Sequence, residues 1–366
     1  MLTVIFTLDY EIHGNGEGDP YALMVEPTSR LMDLLERYGA KLTIMADVAE
    51  ILKFKEYRDR TGCDDFHYGA ISDQLQQAVQ RGHDVQLHLH SSYFNAKCNG
   101  SGWEQDWSEY NLATLPFERL DKMIHLGKEY LESLLKPVLP SYECMAFRAA
   151  NWAVSPSRNV VHALINNGIR VETSVFKYGR REGIVNFDYS NAHSDLAPWT
   201  VDEDDICRQK EGGKLVEAPI YCERRWIGPF LTPNRIQRVL MSRRHPIAGE
   251  SRNGDWDRTP LPVATNVAKK LSLLVRGHPW KADFNQCTGR QLTKALKRAS
   301  QSHDREGNAQ LPFVLIGHSK QFDRRNQRSL APFLGYTDSH PNRFRFGTFQ
   351  DIMATVIRRH GQISSG

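Results

Sequence analysis

Two histidines, His88 and His90, close the segment Gly82-His83-Asp84-Val85-Gln86-Leu87-His88-Leu89-His90. The segment alternates apolar and polar residues after a glycine stop, which reads as a strand, and residues two apart on a strand project from the same face. Neutral imidazole is the commonest metal-ligating side chain. Near the amino terminus, Leu2-Thr3-Val4-Ile5-Phe6-Thr7-Leu8 runs into Asp9-Tyr10-Glu11-Ile12-His13, where Asp9, Glu11 and His13 share a face if the strand continues. Carboxylates and imidazoles converging from two strand ends suit a catalytic zinc-type site with three protein ligands and one open position.

The elements that must position these groups alternate between strand and helix. Strands are expected at Thr3–Leu8, Lys41–Met45, Val85–His90, Cys144–Arg148, Ile169–Ser174, Lys214–Ile220 and Leu311–Gly317. Between them, helical spacing of Leu31, Leu34, Leu35 and Tyr38 after Pro27-Thr28 predicts a helix stopped by Gly39. Further helices are expected at 72–79, 116–135, 155–167 and 288–300, with a closing helix over Phe346–Arg359. Repeated βα units imply a parallel sheet covered by helices, often closed as a barrel, with reactive groups at the carboxyl ends of the strands. Asp9, Glu11, His88, His90, Arg148 and His318 all fall at such ends.

Residues 221–283 interrupt the pattern. This stretch is rich in Arg, Pro and Trp and weakly periodic, with one helical run at 261–275. It reads as an insertion in a single barrel domain spanning 1–366. Charge is uneven: residues 1–223 hold 22 Lys and Arg against 34 Asp and Glu, whereas residues 224–366 hold 25 against 9. The basic third would suit an anionic sugar polymer, a nucleotide-sugar pyrophosphate or a phospholipid surface, or would simply dock on the acidic part of the same chain. No nucleic-acid-binding module is recognisable. Six cysteines without CxxC spacing suit reduced thiols and a cytoplasmic location. No secretory leader and no apolar run of membrane-spanning length is visible, which leaves room only for peripheral membrane contact.

With these residues in view, the chain resembles the polysaccharide deacetylase superfamily, the NodB-homology fold. Thr7-Leu8-Asp9-Tyr10-Glu11 resembles its first motif, Gly82-His83-Asp84-Val85-Gln86-Leu87-His88 its second, Phe147-Arg148-Ala149-Ala150-Asn151-Trp152 its arginine motif and Leu315-Ile316-Gly317-His318 its late histidine motif. The resemblance spans about residues 1–320 and is confined to motifs. It departs from the family in three places: Tyr10 stands where a second aspartate is usual, Ser92 where the second histidine is usual, and the arginine motif lacks its proline.

The resemblance implies a distorted (β/α)7 TIM-like barrel and metal-dependent removal of acetyl groups from N-acetylated sugars, nucleotide-linked, lipid-linked or polymeric. Asp9 would be the general base, and Glu11, His88 and His90 would ligate one divalent ion, zinc first among candidates, with His13 in reserve for His90. Arg148 would pair with Asp9, and His318 would be the general acid. Trp152, Trp199 and Tyr93 fall in expected loops where a sugar ring could stack on them, and Glu217 at a strand end near the site. Each residue also has a plain structural reading: a hydrogen-bonded carboxylate, a core imidazole, a rim ion pair or a buried aromatic. The competing functional reading is a carbohydrate-binding scaffold on the same barrel with a decayed metal site. An amidohydrolase with an HxH pair fits less well, because that pair normally ends the first strand.

Overall fold

The computed structural model describes residues 1–100, 102–232, 235, 277–303 and 310–351. Its main sheet is built from β1 (Leu2–Tyr10), β2 (Leu42–Asp47), β3 (Asp84–Leu89), β4 (Ala146–Ala149), β5 (Val171–Glu172), β6 (Trp199–Thr200), β7 (Val216–Glu217), β8 (Leu311–His318) and β9 (Phe344–Gly347). The order is β6-β7-β5-β4-β3-β2-β1-β8, with β9 also on β1. All pairings are parallel except β6 with β7.

β1 is the hub. One edge pairs along its length with β8, from Leu2 beside Leu311 to Asp9 beside His318. The other edge takes β9 over Leu2–Ile5 and β2 over Phe6–Tyr10. Every residue of β1, β2 and β3 is buried. That is the expected state of a parallel strand covered on both faces, and it explains why Leu2–Leu8 reads as an apolar run rather than a clean alternation.

Helices α1 (Glu26–Glu36), α2 (Val48–Thr61), α3 (Tyr68–Gln80), α4 (Phe117–Leu135), α5 (Arg158–Asn166), α6 (Gly289–His303) and α7 (Arg324–Asp338) link the strands. α1 buries Leu31, Leu34 and Leu35, and the chain turns at Gly39 with φ +65°, a conformation that glycine adopts without a Cβ penalty. The sheet curls until its far end returns to β8. Ile220 bridges Val314 and Asp283 bridges Ile316, backed by the Tyr221 N–H on the Val314 carbonyl at 3.0 Å. The fold is a distorted (β/α) barrel.

The described ends of the insertion form an antiparallel hairpin, Cys222–Arg225 with His278–Lys281. The helix expected at 261–275 lies outside the described residues. The closing helix needs correction: Phe344–Gly347 is a strand on β1, and helix begins only at Phe349. Phe344 and Phe346 carry the alternation of a strand, which a helical window centred further along absorbed. The helix expected to continue past 351 lies outside the described residues.

Two helices have no counterpart in the sequence reading. α2 fully buries apolar residues only in its first half, at Val48, Ala49, Ile51 and Phe54, and its charged second half erases the period. α7 opens with Arg324-Arg325-Asn326 and contains Pro332, and its start is fixed by a capping box between Asp323 and Asn326.

Candidate active site

The carboxyl ends of β1, β2, β3, β4 and β8 meet over one end of the barrel. β3 ends at Leu89, so His88 is on the strand and His90 is the first residue past it, still extended at φ −94°, ψ 98°. The two rings therefore stay on one side, 5.0 Å apart and edge to face. β1 likewise ends at Tyr10, and Glu11 follows it.

Donor atoms of Glu11, His88 and His90 all lie within 4.8 Å of one another. Glu11 Oε2 is 3.4 Å from His88 Nε2 and 3.3 Å from His90 Nδ1. His13 is outside this group, because the chain has left the strand geometry by then and His13 packs near Gly18. Ser92 is also outside it. Its hydroxyl donates to Gln105 Oε1 at 2.7 Å, and Gln105 in turn donates to the Gly14 carbonyl at 3.0 Å, so Ser92 anchors the following loop.

A partner on Nδ1 orients each imidazole. His88 Nδ1 donates to the Arg148 carbonyl at 2.9 Å, which leaves Nε2 with its lone pair facing Glu11. His90 Nδ1 donates to Asp47 Oδ2 at 2.7 Å, and its backbone N–H donates to Asp47 Oδ1 at 3.1 Å. Such outer partners fix the tautomer of ligating histidines. A His–His–carboxylate donor set fits a zinc-type ion: His88 presents its Nε2 lone pair to Glu11, and His90, whose Nδ1 is engaged by Asp47, keeps its lone pair on Nε2.

Asp9 sits beside this group on β1. Arg148 Nη1 donates to Asp9 Oδ1 at 2.7 Å, and Arg148 Nε donates to the Thr173 carbonyl at 2.9 Å. Arg148 is fully buried. Burial pushes the Asp9 carboxyl up, but Arg148 and the imidazoles of His88 and His318 outweigh it and hold Asp9 below the usual range. Glu11 behaves alike: burial raises it, while Lys320, His90 and His88 together bring it well below. Both carboxylates are thus ionised at neutral pH. His318 Nε2 lies 3.6 Å from Asp9 and 3.9 Å from Glu11, and its buried Nδ1 has no hydrogen-bond partner. The geometry brings together the six residues expected as ligands or in catalytic roles, Asp9, Glu11, His88, His90, Arg148 and His318.

Three residues were missed. Asp47, fully buried at the end of β2, holds His90. The strand-end rule applied to β2 would have found it. Lys320 places its ammonium 3.0 Å from Glu11 Oε1, in the turn after β8, and no spacing signal marks it. Glu50, in the first turn of α2, accepts the Ile12 N–H at 3.0 Å and so pins the residue after Glu11. Burial, then repulsion from Asp47, pushes the Glu50 carboxyl well up.

The expected sugar-stacking aromatics need correction. Trp199 and Tyr93 are 2% exposed, and Trp199 donates its indole N–H to the Ile206 carbonyl at 2.9 Å. Trp152 is buried too, and the Lys281 ammonium sits 3.2 Å from its ring centroid. These rings were driven into the core by their own apolar area and offer no open face.

Glu217 pairs with Glu172, its register partner on β5, rather than with the site. Its Oε1 accepts the Val175 N–H at 3.2 Å, while Ser174 donates both hydroxyl and backbone N–H to Glu172. Burial, then repulsion from Glu172, pushes Glu217 well above the carboxylate range. A raised folded pKa contributes stability below the unfolded value, about 4.3, that is lost as pH rises toward the folded value. Glu217→Gln keeps the protonated shape without that loss. It is therefore expected to melt above the wild type at pH 8, with the gap closing near pH 4, as calorimetry across that range would read.

No protein-family model matches the sequence, and no curated protein matches it. Solved structures do. A Parabacteroides distasonis protein, provisionally described as a glycoside hydrolase/deacetylase, superposes with a TM-score of 0.54 at 12% identity, over 98% of this chain and 71% of that one. The fold is NodB-like. A Mycobacterium smegmatis protein provisionally described as a polysaccharide deacetylase aligns at TM-score 0.49 and 13% identity, over 98% of this chain and 91% of that one. A family 4 acetyl xylan esterase from Clostridium thermocellum, solved with a cobalt ion, aligns at TM-score 0.39 and 12% identity, over 97% and 91%. At such identities the NodB-like likeness speaks for architecture, and chemistry has to be argued from the site. Among the described residues, no helix is long and apolar enough to cross a membrane.

Proposed function

We propose that the protein is a metal-dependent hydrolase that removes acetyl groups from N-acetylated sugars of a surface polysaccharide or its cytoplasmic precursor. The observation that carries this reading is the meeting of Glu11, His88 and His90 within 4.8 Å, beside the Asp9–Arg148 pair. Glu11, His88 and His90 would hold one divalent ion, zinc by the chemistry of the donors. When bound, such an ion polarises an acyl oxygen and makes water a better nucleophile.

The chain's own groups do the rest. Asp9, kept ionised, accepts the proton of the attacking water. Arg148 holds Asp9 in place through a planar, permanently charged fork. His318 gives a proton to the departing amine, the general-acid role that a positioned imidazole most often fills. The glycoside hydrolase/deacetylase description of the Parabacteroides distasonis structure agrees with a hydrolase acting on sugars. All six cysteines are free thiols, four of them buried, which supports the cytoplasmic location and a substrate met before export. The reading takes 1–366 as one barrel domain whose basic C-terminal third has the charge to suit the nucleotide or lipid phosphates of that substrate.

Acetate release from a panel of N-acetylated sugar nucleotides and glycans, with and without chelator, tests the reading. Release that needs the ion and is absent from His88→Ala is expected. Chelator-insensitive release would remove the ion from the chemistry. No release from any substrate, in protein that also purifies without stoichiometric metal, would favour the sugar-binding scaffold.

A further inference from the structure

Glu11 divides its two oxygens. Oε2 faces the imidazoles, 3.4 Å from His88 and 3.3 Å from His90. Oε1 faces away from them, 3.0 Å from the Lys320 ammonium. Lys320 is itself fixed, because it also donates to the Ile12 carbonyl at 2.9 Å and its side chain is 14% exposed. Ser319, one residue earlier, ties the same turn to the Glu11 backbone with its hydroxyl, 3.4 Å from both the N–H and the carbonyl oxygen. The turn after β8 therefore carries a cation to the back of the only carboxylate in the donor group.

We propose that Lys320 is a positioning and charge-setting residue of the Glu11–His88–His90 centre: it restricts Glu11 to one donor oxygen and weakens the binding of a divalent ion. This rests on the reading of that centre as a metal site. The physical argument is direct. An ammonium salt-bridged to Oε1 keeps that oxygen from swinging round to chelate, so Glu11 ligates through Oε2 alone. The ammonium also draws electron density from the carboxylate and repels a second cation placed on its other side. At the short separations of a mostly buried cluster, this repulsion is weakly screened. The fixed charges agree. Asp9 is matched by Arg148, and Glu11 is matched by Lys320 before any ion arrives. The ion-free protein thus has a stable ground state of its own, and the ion enters in competition with a resident charge.

The consequence is an exchangeable centre whose loading follows ion supply. Zinc titration of the chelator-treated full chain, by calorimetry or competition with a chromophoric chelator, tests this without reference to turnover. Lys320→Met keeps the length of the stem and removes the charge, and Lys320→Arg keeps the charge. Lys320→Met is expected to bind zinc at least about tenfold more tightly than wild type, because the charge it removes repels the ion across a mostly buried carboxylate. Lys320→Arg is expected to stay within about twofold. Circular dichroism and a thermal melt establish that both variants fold, and Lys320→Gln stands in if the methionine variant does not. Equal or weaker zinc binding by a folded, uncharged variant, with wild type binding one equivalent, would overturn the proposal and leave the metal reading intact. Absence of binding to wild type and to every variant would sink the metal reading first.

Discussion

Asp9→Asn is expected to cut turnover by roughly 10²–10⁴-fold, the range general-base catalysis contributes, while leaving the fold and ion binding in place. The substitution is nearly isosteric. The amide oxygen can still accept from Arg148 Nη1, which now donates to Oδ1 at 2.7 Å. What disappears is the lone-pair basicity of an ionised carboxylate, held below its ordinary range against the pull of burial. Because Asp9 is outside the Glu11–His88–His90 donor group, zinc affinity should change far less than turnover. A parallel loss of zinc and activity would instead make Asp9 a ligand. Full activity in a folded Asp9→Asn protein would end its role as base.

Arg148→Met should carry the largest cost in stability. The guanidinium is fully buried and bonds Asp9 and the Thr173 carbonyl. Its removal leaves a buried carboxylate without its cation, a change that costs about 3–5 kcal/mol. The sign of the pH dependence follows from the Asp9 shift. In wild type the lowered pKa contributes stability above the unfolded value, about 3.9, and that contribution is lost only as pH falls through the folded pKa. Without Arg148 the Asp9 carboxyl rises, so the variant is penalised most at neutral pH and recovers part of its deficit in acid, where Asp9 takes up a proton. Urea midpoints of the two proteins at pH 7 and pH 4 read this directly. A deficit independent of pH would assign the loss to packing alone.

Both effects depend on residues that were legible before any coordinates. His88 and Arg148 sit at strand ends where apolar runs stop, and parallel strands send their carboxyl ends to one face. The chain order of the motifs added the late histidine, His318. Harder to read was anything that depends on where a strand stops. Glu11 and His90 lie just past β1 and β3, and they stay on the inward side because the backbone remains extended for one residue more. Two residues further on, His13 has turned away. Nor could periodicity reveal the partners that approach from other elements. Asp47 reaches His90 across neighbouring strands 43 residues apart, and Lys320 reaches Ile12 across 308. The aromatics failed in a different way. Short strands and loops looked exposed in the sequence, yet Trp199 lies on β6 and Tyr93 in a turn packed beneath the rim.

The replacement of the usual second histidine has a similar explanation. Ser92 is bound into the loop by Gln105, two residues beyond the position from which an imidazole meets Glu11. His90 occupies that position, and Asp47 orients it with two hydrogen bonds. The proposed centre therefore still counts three donor residues, with His90 offering Nε2 because Asp47 engages its Nδ1.

The most direct measurement is metal content. Wild type, Glu11→Gln and His88→Ala would be loaded with zinc, freed of excess by gel filtration and assayed by elemental mass spectrometry, with circular dichroism to show that each is folded. One zinc per wild-type chain, and almost none in either variant, is the predicted result. Folded wild type that retains no more zinc than His88→Ala would contradict it.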